Sequence, residues 1–159
     1  MPLQEIERKY LVTSEDYKSC AIRHYRIAQG YLSVDPERSV RVRLKEGQGI
    51  LTVKGGSSED GTTRFEWEKA IDKAEADSLL TLCLKPLIEK TRYEVKVGNH
   101  LFEVDEFYGD NAGLVVAEVE LSSAEEAFDK PEWLGQEVTG EARYYNAQLS
   151  QHPFKNWAD

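Results

Sequence analysis

Residues 5–12 read EIERKYLV. With the two-residue period of a β-strand, Glu5, Glu7 and Lys9 share one face of this segment. Like charges so close on a strand repel each other. Two carboxylates on one face therefore fit either the solvated side of a sheet or a site that binds a cation.

The same alternation of charged and apolar residues recurs along the chain. Eight segments rich in β-branched and aromatic residues are predicted as strands, at residues 5–12, 27–34, 39–46, 49–54, 63–70, 87–97, 101–108 and 114–121. Short turn-like connections indicate that neighbouring strands are antiparallel. Four helices are expected: a short one that begins near residues 13–16, one that begins at Asp72, one from Ser123 that stops before Pro131, and one from about Glu141 to Ser150.

Charges on the polar faces come in pairs of one sign, such as Arg41 and Arg43 in SVRVRLKE and Glu118 and Glu120 in VVAEVEL. An open antiparallel sheet with one solvated face also produces such alternation. Pairs of one sign are costly, however, unless an opposite charge lies between them. Eight strands in near-meander order can close into a barrel that holds one small ligand. We therefore predict an α+β fold: an eight-stranded antiparallel closed barrel with a charged interior, flanked by helices.

Closure would turn the charged faces inward and the apolar faces outward, where helices must cover them. Burying many charges without compensation costs several kcal/mol each, so the lining must be wet, mutually paired and completed by ions. Arginine and lysine suit phosphate oxygens, whereas clustered carboxylates suit a hard divalent cation. A metal-bound polyphosphate would satisfy both the basic and the acidic residues of this lining.

The sequence resembles the CYTH domain, the triphosphate tunnel metalloenzyme superfamily. EIERK at residues 5–9 matches the Glu-x-Glu-x-Lys signature of that family, and QGYL at 29–32 and RYYN at 143–146 resemble its short bacterial single-domain members. The likeness covers essentially the whole chain, as one domain over residues 1–159. The later charged positions follow in the order of the family: Arg41, Arg43, Lys54, Glu66, Glu68, Lys90, Arg92, Asp105, Glu118 and Glu120.

The resemblance implies a role for each matching residue. The implied ligands of Mg²⁺ or Mn²⁺ are Glu5, Glu7, Asp105, Glu118 and Glu120. The implied phosphate-binding residues are Lys9, Arg41, Arg43, Lys54, Lys90, Arg92 and Arg143. Lys9 and Tyr31 are the catalytic candidates, with Tyr31 as proton acceptor. A tyrosine pKa near 10 must be lowered by nearby cations for that role, so a glutamate that activates a metal-held water is the alternative.

The C-terminal segment departs from the family pattern. The family's last helix begins with basic residues around Arg-Tyr, as in Lys-Arg-Tyr-Lys-Asn, and can plug one end of the tunnel. Ala142 and Tyr145 stand where two of those cations are expected, on either side of Arg143 and Tyr144. We expect Arg143 to serve alone, in a site that is weaker or more open.

The function predicted from these features is divalent-metal-dependent hydrolysis of inorganic triphosphate or a related triphosphate. One alternative is a class IV adenylyl cyclase, which shares the fold and motif, although the short chain and plug-like last helix favour hydrolysis. Another is a thiamine triphosphatase, which needs aromatic contacts for the organic head. The third is a non-catalytic polyphosphate-binding module, against which five carboxylates argue.

Composition narrows the classes of partner. The chain of 159 residues has a formal net charge of −9, which argues against a general nucleic-acid surface. No apolar run has the form of a signal peptide or membrane span. Cys20 and Cys83 are far apart, so a disulfide framework or zinc site is not expected. We predict a cytoplasmic protein with a small-molecule substrate, no nucleic-acid or membrane partner, and the homodimer that the resemblance makes plausible.

Overall fold

A computed structural model describes residues 3–157. Within this range the strands are β1 (Gln4–Val12), β2 (Arg23–Ser33), β3 (Arg38–Lys45), β4 (Gln48–Ser57), β5 (Thr63–Ile71), β6 (Ile88–Val97), β7 (His100–Phe107), β8 (Val115–Glu120) and β9 (Leu134–Glu137). The α-helices are α1 (Tyr17–Cys20), α2 (Lys73–Leu80) and α3 (Asn146–Leu149). Short 3₁₀ turns occupy Gly109–Asn111, Ala142–Tyr144 and Phe154–Asn156.

Strands β1 to β8 form a closed antiparallel barrel. The strand order is β5-β4-β3-β2-β6-β7-β8-β1, and β1 returns to β5. Three residue pairs make this closure: Gln4 with Phe65, Glu5 with Arg64, and Ile6 with Thr63. The ninth strand, β9, pairs with the second half of β1 and lies outside the barrel. The prediction of an eight-stranded closed barrel is confirmed.

The hydrophobic core lies outside the barrel, because the inward positions carry the charges. The outer faces of β1, β6, β7 and β8 pack beneath α1 and the segment that precedes β9. This cluster contains Tyr10, Tyr17, Val95, Phe102, Val104, Ala117, Val119, Leu121 and Trp133. Each large apolar side chain buried here contributes about 1.5–3 kcal/mol to stability.

Helical cover of the barrel is only partial. Helix α2 packs Ala76 and Leu80 against Val42 on the outer face of β3. Its start follows the predicted capping box, in which the Asp72 backbone N–H donates to Glu75 Oε1 at 3.1 Å. On β5, in contrast, Phe65 and Trp67 remain 48% and 36% exposed. The expectation that helices cover the outward apolar faces therefore fails at β5.

Two predicted helices differ from the structure. The third is wrong: the chain around Ser123 turns without forming a helix, because Glu126 Oε1 accepts hydrogen bonds at 2.6 Å from both the backbone N–H and the hydroxyl of Ser122. The last predicted helix is split into the 3₁₀ turn Ala142–Tyr144 and the short α3. Tyr145, which lies between them, has an extended backbone (φ −69°, ψ 135°).

The helices within residues 3–157 are all short. None of the helices in that range combines the length and the apolar character that a bilayer crossing requires.

Candidate active site in the barrel interior

Inward-facing side chains enclose a cavity of about 260 Å³ inside the barrel. The alternation of each strand places one charged residue after another on this lining. The basic residues of the lining are Lys9, Arg41, Arg43, Lys45, Lys54, Arg64, Lys90 and Arg92. The acidic residues of the lining are Glu5, Glu7, Glu66, Glu68, Glu103, Glu118 and Glu120.

Asp105 lies directly behind two of these cations. Its carboxylate accepts from Arg92 Nε at 2.8 Å, from Arg92 Nη2 at 2.9 Å and from Lys90 Nζ at 2.7 Å. Burial alone would raise the pKa of Asp105, but Arg92 and Lys90 together hold it well below its usual range. Asp105 is only 3% exposed and is not among the residues that line the cavity. It therefore serves as the counter-ion that fixes Lys90 and Arg92.

The buried cations are crowded. Burial, Arg41 and Arg92 lower the pKa of Arg43 to about 9. Burial, helped by Arg92 and Arg43, lowers the pKa of Lys90 to about 7 in spite of Asp105. A bound anion would relieve both effects, because it favours the charged form of each side chain.

Arg41 has a buried hydrogen-bond donor without a partner. Its Nη2 donates to Thr52 Oγ1 at 3.2 Å, but its Nε is the one buried side-chain nitrogen or oxygen left unsatisfied in the described part of the chain. An unsatisfied buried donor costs about 1–3 kcal/mol. An oxygen of a phosphate ligand would satisfy it, and the guanidinium group suits such oxygens.

Several carboxylates of the cavity face each other across neighbouring strands, although like charges repel. Strand pairing sets Glu7 opposite Glu120, and Glu103 opposite Glu118. Like charges directly opposite each other destabilise a sheet. Burial, then Glu118 and Glu5, raise the pKa of Glu7 well above its ordinary value. These positions have the chemistry of a site that a cation would stabilise.

Other carboxylates of the cavity are paired with lysines. Lys9 Nζ lies 3.3 Å from Glu118, and Lys54 Nζ lies 2.8 Å from Glu5 and 3.7 Å from Glu66. Burial raises the pKa of Glu118, but Lys9 and Arg92 bring it down to about 2. Burial and Glu5 raise the pKa of Glu66 to about 7, although Lys54 opposes them.

Within residues 3–157, the side chains do not form a complete metal-binding site by themselves. In residues 3–157, no group of three His, Cys, Asp or Glu side chains is placed to hold a metal ion. Magnesium is usually bound through one or two carboxylates, with waters and substrate phosphates as its other ligands. The opposed pair Glu7–Glu120 therefore fits a divalent cation that arrives with a phosphate ligand.

Most of the predicted site residues meet in this cavity. They are Glu5, Glu7, Lys9, Arg41, Arg43, Lys54, Lys90, Arg92, Glu118 and Glu120. Tyr31 is buried and two residues along β2 from the inward-facing Gln29, but it does not line the cavity. Arg143 lies outside the tunnel, where its guanidinium stacks 3.8 Å from the ring centroid of Trp157. We therefore leave Arg143 out of the phosphate-binding set.

Sequence reasoning missed two polar residues that connect the barrel to the C-terminal segment. Asn146 Oδ1 accepts from Gln29 Nε2 at 2.7 Å and from Lys90 Nζ at 2.8 Å, and Gln29 Oε1 accepts from Arg43 Nε at 2.8 Å. Neither residue is charged, so the alternation of charged residues does not indicate them. One feature of the sequence could have indicated Gln29: it is a polar residue between Ala28 and Gly30, at a position of β2 that faces the barrel interior.

The last residues of this network lie across one end of the barrel. Lys9 Nζ on β1 donates to the carbonyl of Tyr144 at 3.4 Å, and the Tyr145 hydroxyl is 3.3 Å from Ser57 Oγ on β4. Asn146 bonds to β2 and β6, as described above. The segment thus contacts strands β1, β2, β4 and β6 at that end of the barrel.

Comparisons with known proteins agree with this geometry. The profile of the CYTH domain matches residues 3–151. An inorganic triphosphatase from Acetivibrio thermocellus is 46% identical over 157 residues, which cover 98% of this chain and 99% of that protein. An inorganic triphosphatase from Nitrosomonas europaea is 37% identical over 151 residues, covering 93% and 97%. A crystal structure of an inorganic triphosphatase superposes with a TM-score of 0.65 at 34% identity, covering 92% of this chain and 93% of that one.

Proposed function

The chain belongs to the CYTH domain family, and from this premise we propose that it is a metal-dependent hydrolase that splits inorganic triphosphate. The observation that carries the proposal is the composition of one cavity. Crowded buried cations, including Arg41 with its unsatisfied Nε, line the same cavity as the opposed carboxylates Glu7 and Glu120. A polyphosphate with a divalent cation supplies both missing partners.

The basic residues bind and orient the phosphate chain. We assign this role to Lys9, Arg41, Arg43, Lys54, Lys90 and Arg92. Phosphoryl transfer depends mainly on positioning and on neutralising the charge of the transferred group. Side chains held by Asp105, Gln29 and Asn146 are already oriented, so little reorganisation is needed when the substrate binds.

Of the seven carboxylates that line the cavity, four would hold Mg²⁺ or Mn²⁺: Glu5, Glu7, Glu118 and Glu120. When bound, such an ion neutralises phosphate charge and lowers the pKa of coordinated water. Asp105 supports the site from behind, by fixing Arg92 and Lys90.

The proton acceptor for the attacking water has two candidates. A carboxyl of the cavity is favoured over Tyr31, because Glu66 lines the cavity and its pKa is raised to about 7 by burial and by Glu5. A general base works best when its pKa is near the operating pH. If a carboxyl fills this role, Tyr31→Phe will retain more than about a tenth of wild-type kcat, whereas loss of the base costs roughly 10²–10⁴-fold. A loss of that size in the steady-state rate of Tyr31→Phe would instead assign the role to Tyr31.

Organic triphosphates fit this cavity less well. Its volume of about 260 Å³ is below the roughly 300–1,000 Å³ of sites that hold drug-sized ligands. Trp67, Trp133 and Trp157 are not among its lining residues, and the ring of Tyr145, its one aromatic lining residue in residues 3–157, already has Lys9 Nζ 5.2 Å and Arg64 Cζ 5.5 Å from its centroid. This favours inorganic triphosphate over thiamine triphosphate or ATP.

Phosphate release from a panel of substrates tests the proposal. The purified chain is incubated with inorganic triphosphate, ATP and thiamine triphosphate, each with Mg²⁺, with Mn²⁺ and with EDTA. We expect fastest release from inorganic triphosphate, only with a divalent cation. Cyclic AMP formed from ATP would indicate the cyclase, and tight binding of triphosphate without turnover would indicate the non-catalytic module.

A further inference from the structure

Asn146 brings an amide to the cavity lining from the C-terminal segment, residues 142–149. Its side-chain Oδ1 lies 2.8 Å from Lys90 Nζ and 2.7 Å from Gln29 Nε2. Arg143, the one cation of this segment, stacks outside the tunnel. The segment therefore adds no positive charge to the lining. What it adds is an amide whose oxygen already has two partners.

The orientation of this amide follows from what its neighbours can do. A guanidinium group has donors only, so Arg43 Nε, 2.8 Å away, requires the oxygen of the Gln29 amide on its side. The nitrogen of Gln29 then faces Asn146 as a donor. Lys90, as an ammonium group, also has donors only. Both neighbours therefore require the oxygen of Asn146, and its Nδ2 is left on the other side of the amide.

The Nδ2 group of Asn146 is free to bind a ligand. In residues 3–157 it has no hydrogen-bond acceptor, since both bonds of the side chain are made by Oδ1. Arg41 Nε is the only buried side-chain nitrogen or oxygen without a partner in that range, so the unpaired Nδ2 is accessible to solvent. Asn146 also lines the cavity. The amide thus presents two N–H donors that no protein group uses.

A second unused donor lies beside this amide. Lys90 has three N–H donors, of which one binds Asp105 Oδ2 at 2.7 Å and one binds Asn146 Oδ1. The third is left for a ligand, and Lys90 lines the same cavity. Because the amide oxygen contacts Lys90 Nζ directly, a phosphate group at the third N–H brings its oxygens next to the amide nitrogen.

A neutral amide suits this position better than a carboxylate. Asp105 already shares its charge between Lys90 and Arg92. Asn146 accepts from Lys90 without adding a further negative charge, so the positive charge of the lysine remains available to an anion. A carboxylate in the same place would accept the same bonds, but it would repel a phosphate and would have no N–H to offer.

We propose that Asn146 is a substrate-binding residue, whose Nδ2 donates a hydrogen bond to an oxygen of the phosphate group that Lys90 binds. The C-terminal segment then contributes a neutral donor to the site, whereas the sequence predicts the cation Arg143. The inference rests on the proposed function for the nature of the ligand, a phosphate chain. Gln29 is a positioning residue, because it acts on the ligand only through Asn146 and Arg43.

Two substitutions separate a direct contact from a purely structural role. Asn146→Asp keeps an oxygen for Lys90 and Gln29 but loses the donor and adds a negative charge, whereas Asn146→Ala loses the oxygen as well. If Nδ2 binds phosphate, we expect kcat/KM for tripolyphosphate to fall about tenfold in Asn146→Ala and about a hundredfold or more in Asn146→Asp. If the residue only holds its neighbours, the aspartate variant will be the more active of the two.

The control for the added charge is Asn99→Asp, in the exposed turn between β6 and β7, which should keep the wild-type kcat/KM. An Asn146→Asp variant that is as active as Asn146→Ala, or more active, would overturn the proposal.

Nuclear magnetic resonance on the wild type tests the contact without turnover and without a variant. The side-chain NH₂ signal of Asn146 is assigned through bonds from its own backbone in ¹⁵N,¹³C-labelled protein. With a hydrolysis-resistant imido analogue of triphosphate and Mg²⁺, we expect these protons to move downfield and to exchange more slowly with water. If calorimetry shows that the analogue binds while their shift and exchange stay unchanged, the proposal is wrong.

The same experiment distinguishes failure of this proposal from failure of the proposed function. If the analogue binds and the NH₂ signal responds, but triphosphate is not hydrolysed, the enzyme is refuted and the role of Asn146 stands. If triphosphate is hydrolysed and the signal does not respond, the role of Asn146 alone is refuted. Absence of any binding or hydrolysis would refute both.

Discussion

At the level of single residues, Arg41 is the best-defined contact for the substrate. Its buried Nε has no partner in the described structure, and its Nη2 reaches Thr52. We expect Arg41→Ala to lower kcat/KM for triphosphate by about 10²–10³-fold, the usual loss when a fixed donor to a developing negative charge is removed. Phosphate release measures the effect. Arg26→Ala is the matched control, because Arg26 is exposed on the outer face of β2, paired with Glu89 at 3.0 Å.

The raised pKa of Glu66 leads to a prediction of how stability depends on pH. Burial and Glu5 raise its pKa from 4.5 to about 7, so between these values the folded protein keeps a proton that the unfolded chain has released. The stabilisation is complete below about pH 4.5 and is lost as the pH rises through about 7. In the metal-free protein we expect Tm to fall between about pH 5 and pH 7, and to fall less in Glu66→Gln. The exposed Glu125→Gln should keep the wild-type slope; equal slopes in all three proteins would contradict this assignment.

At the level of elements, the strands could be predicted because charge alternation and inward position coincide. EIERKYLV places Glu5, Glu7 and Lys9 in the cavity, and SVRVRLKE places Arg41, Arg43 and Lys45 there, so the alternation indicates both the strand and its inward face. Strand β9 could not be found in this way, since LGQE has four residues and no alternation. The helix expected at Ser123 failed because Glu126 closes a local turn instead. The inward position of Tyr145 depends on a break in backbone conformation that the composition does not indicate.

The C-terminal segment depends on its apolar anchor. Leu149 is 0% exposed in the cluster that joins α3 to the barrel end, so Leu149→Ala leaves a cavity there. We expect a loss of about 2–5 kcal/mol in the free energy of unfolding, measured by urea denaturation. Leu82→Ala removes the same atoms from a side chain that is 72% exposed, and should change stability by less than about 0.5 kcal/mol. A similarly small effect at Leu149 would mean that α3 does not pack as described.

At the level of the whole molecule, the charge of the tunnel differs from that of the chain. The chain has a formal net charge of −9, yet the eight cations of the cavity lining equal in number its seven carboxylates together with the buried Asp105, so the formal charges of the site cancel. A bare triphosphate would add several negative charges to such a site. A triphosphate that brings a divalent cation is closer to neutral, and its two parts match the separate basic and acidic groups of the lining. Charge balance thus accounts for metal dependence in the proposed reaction.

Closure of the barrel provides the last prediction. The contact between residues 4–6 and residues 63–65 has three residue pairs, against eight between β6 and β7, so it is the shortest strand pairing in the closed barrel. It also contains Glu5 and Arg64, which both line the cavity. In hydrogen exchange we expect these amides to exchange faster than those of β6 and β7 in the free protein, because fewer contacts must open together. A hydrolysis-resistant imido analogue of triphosphate with Mg²⁺ should slow them most, since the ligand bridges both strands. If the analogue protected other strands of the tunnel and left residues 4–6 and 63–65 unchanged, the ligand would not bind across this closure.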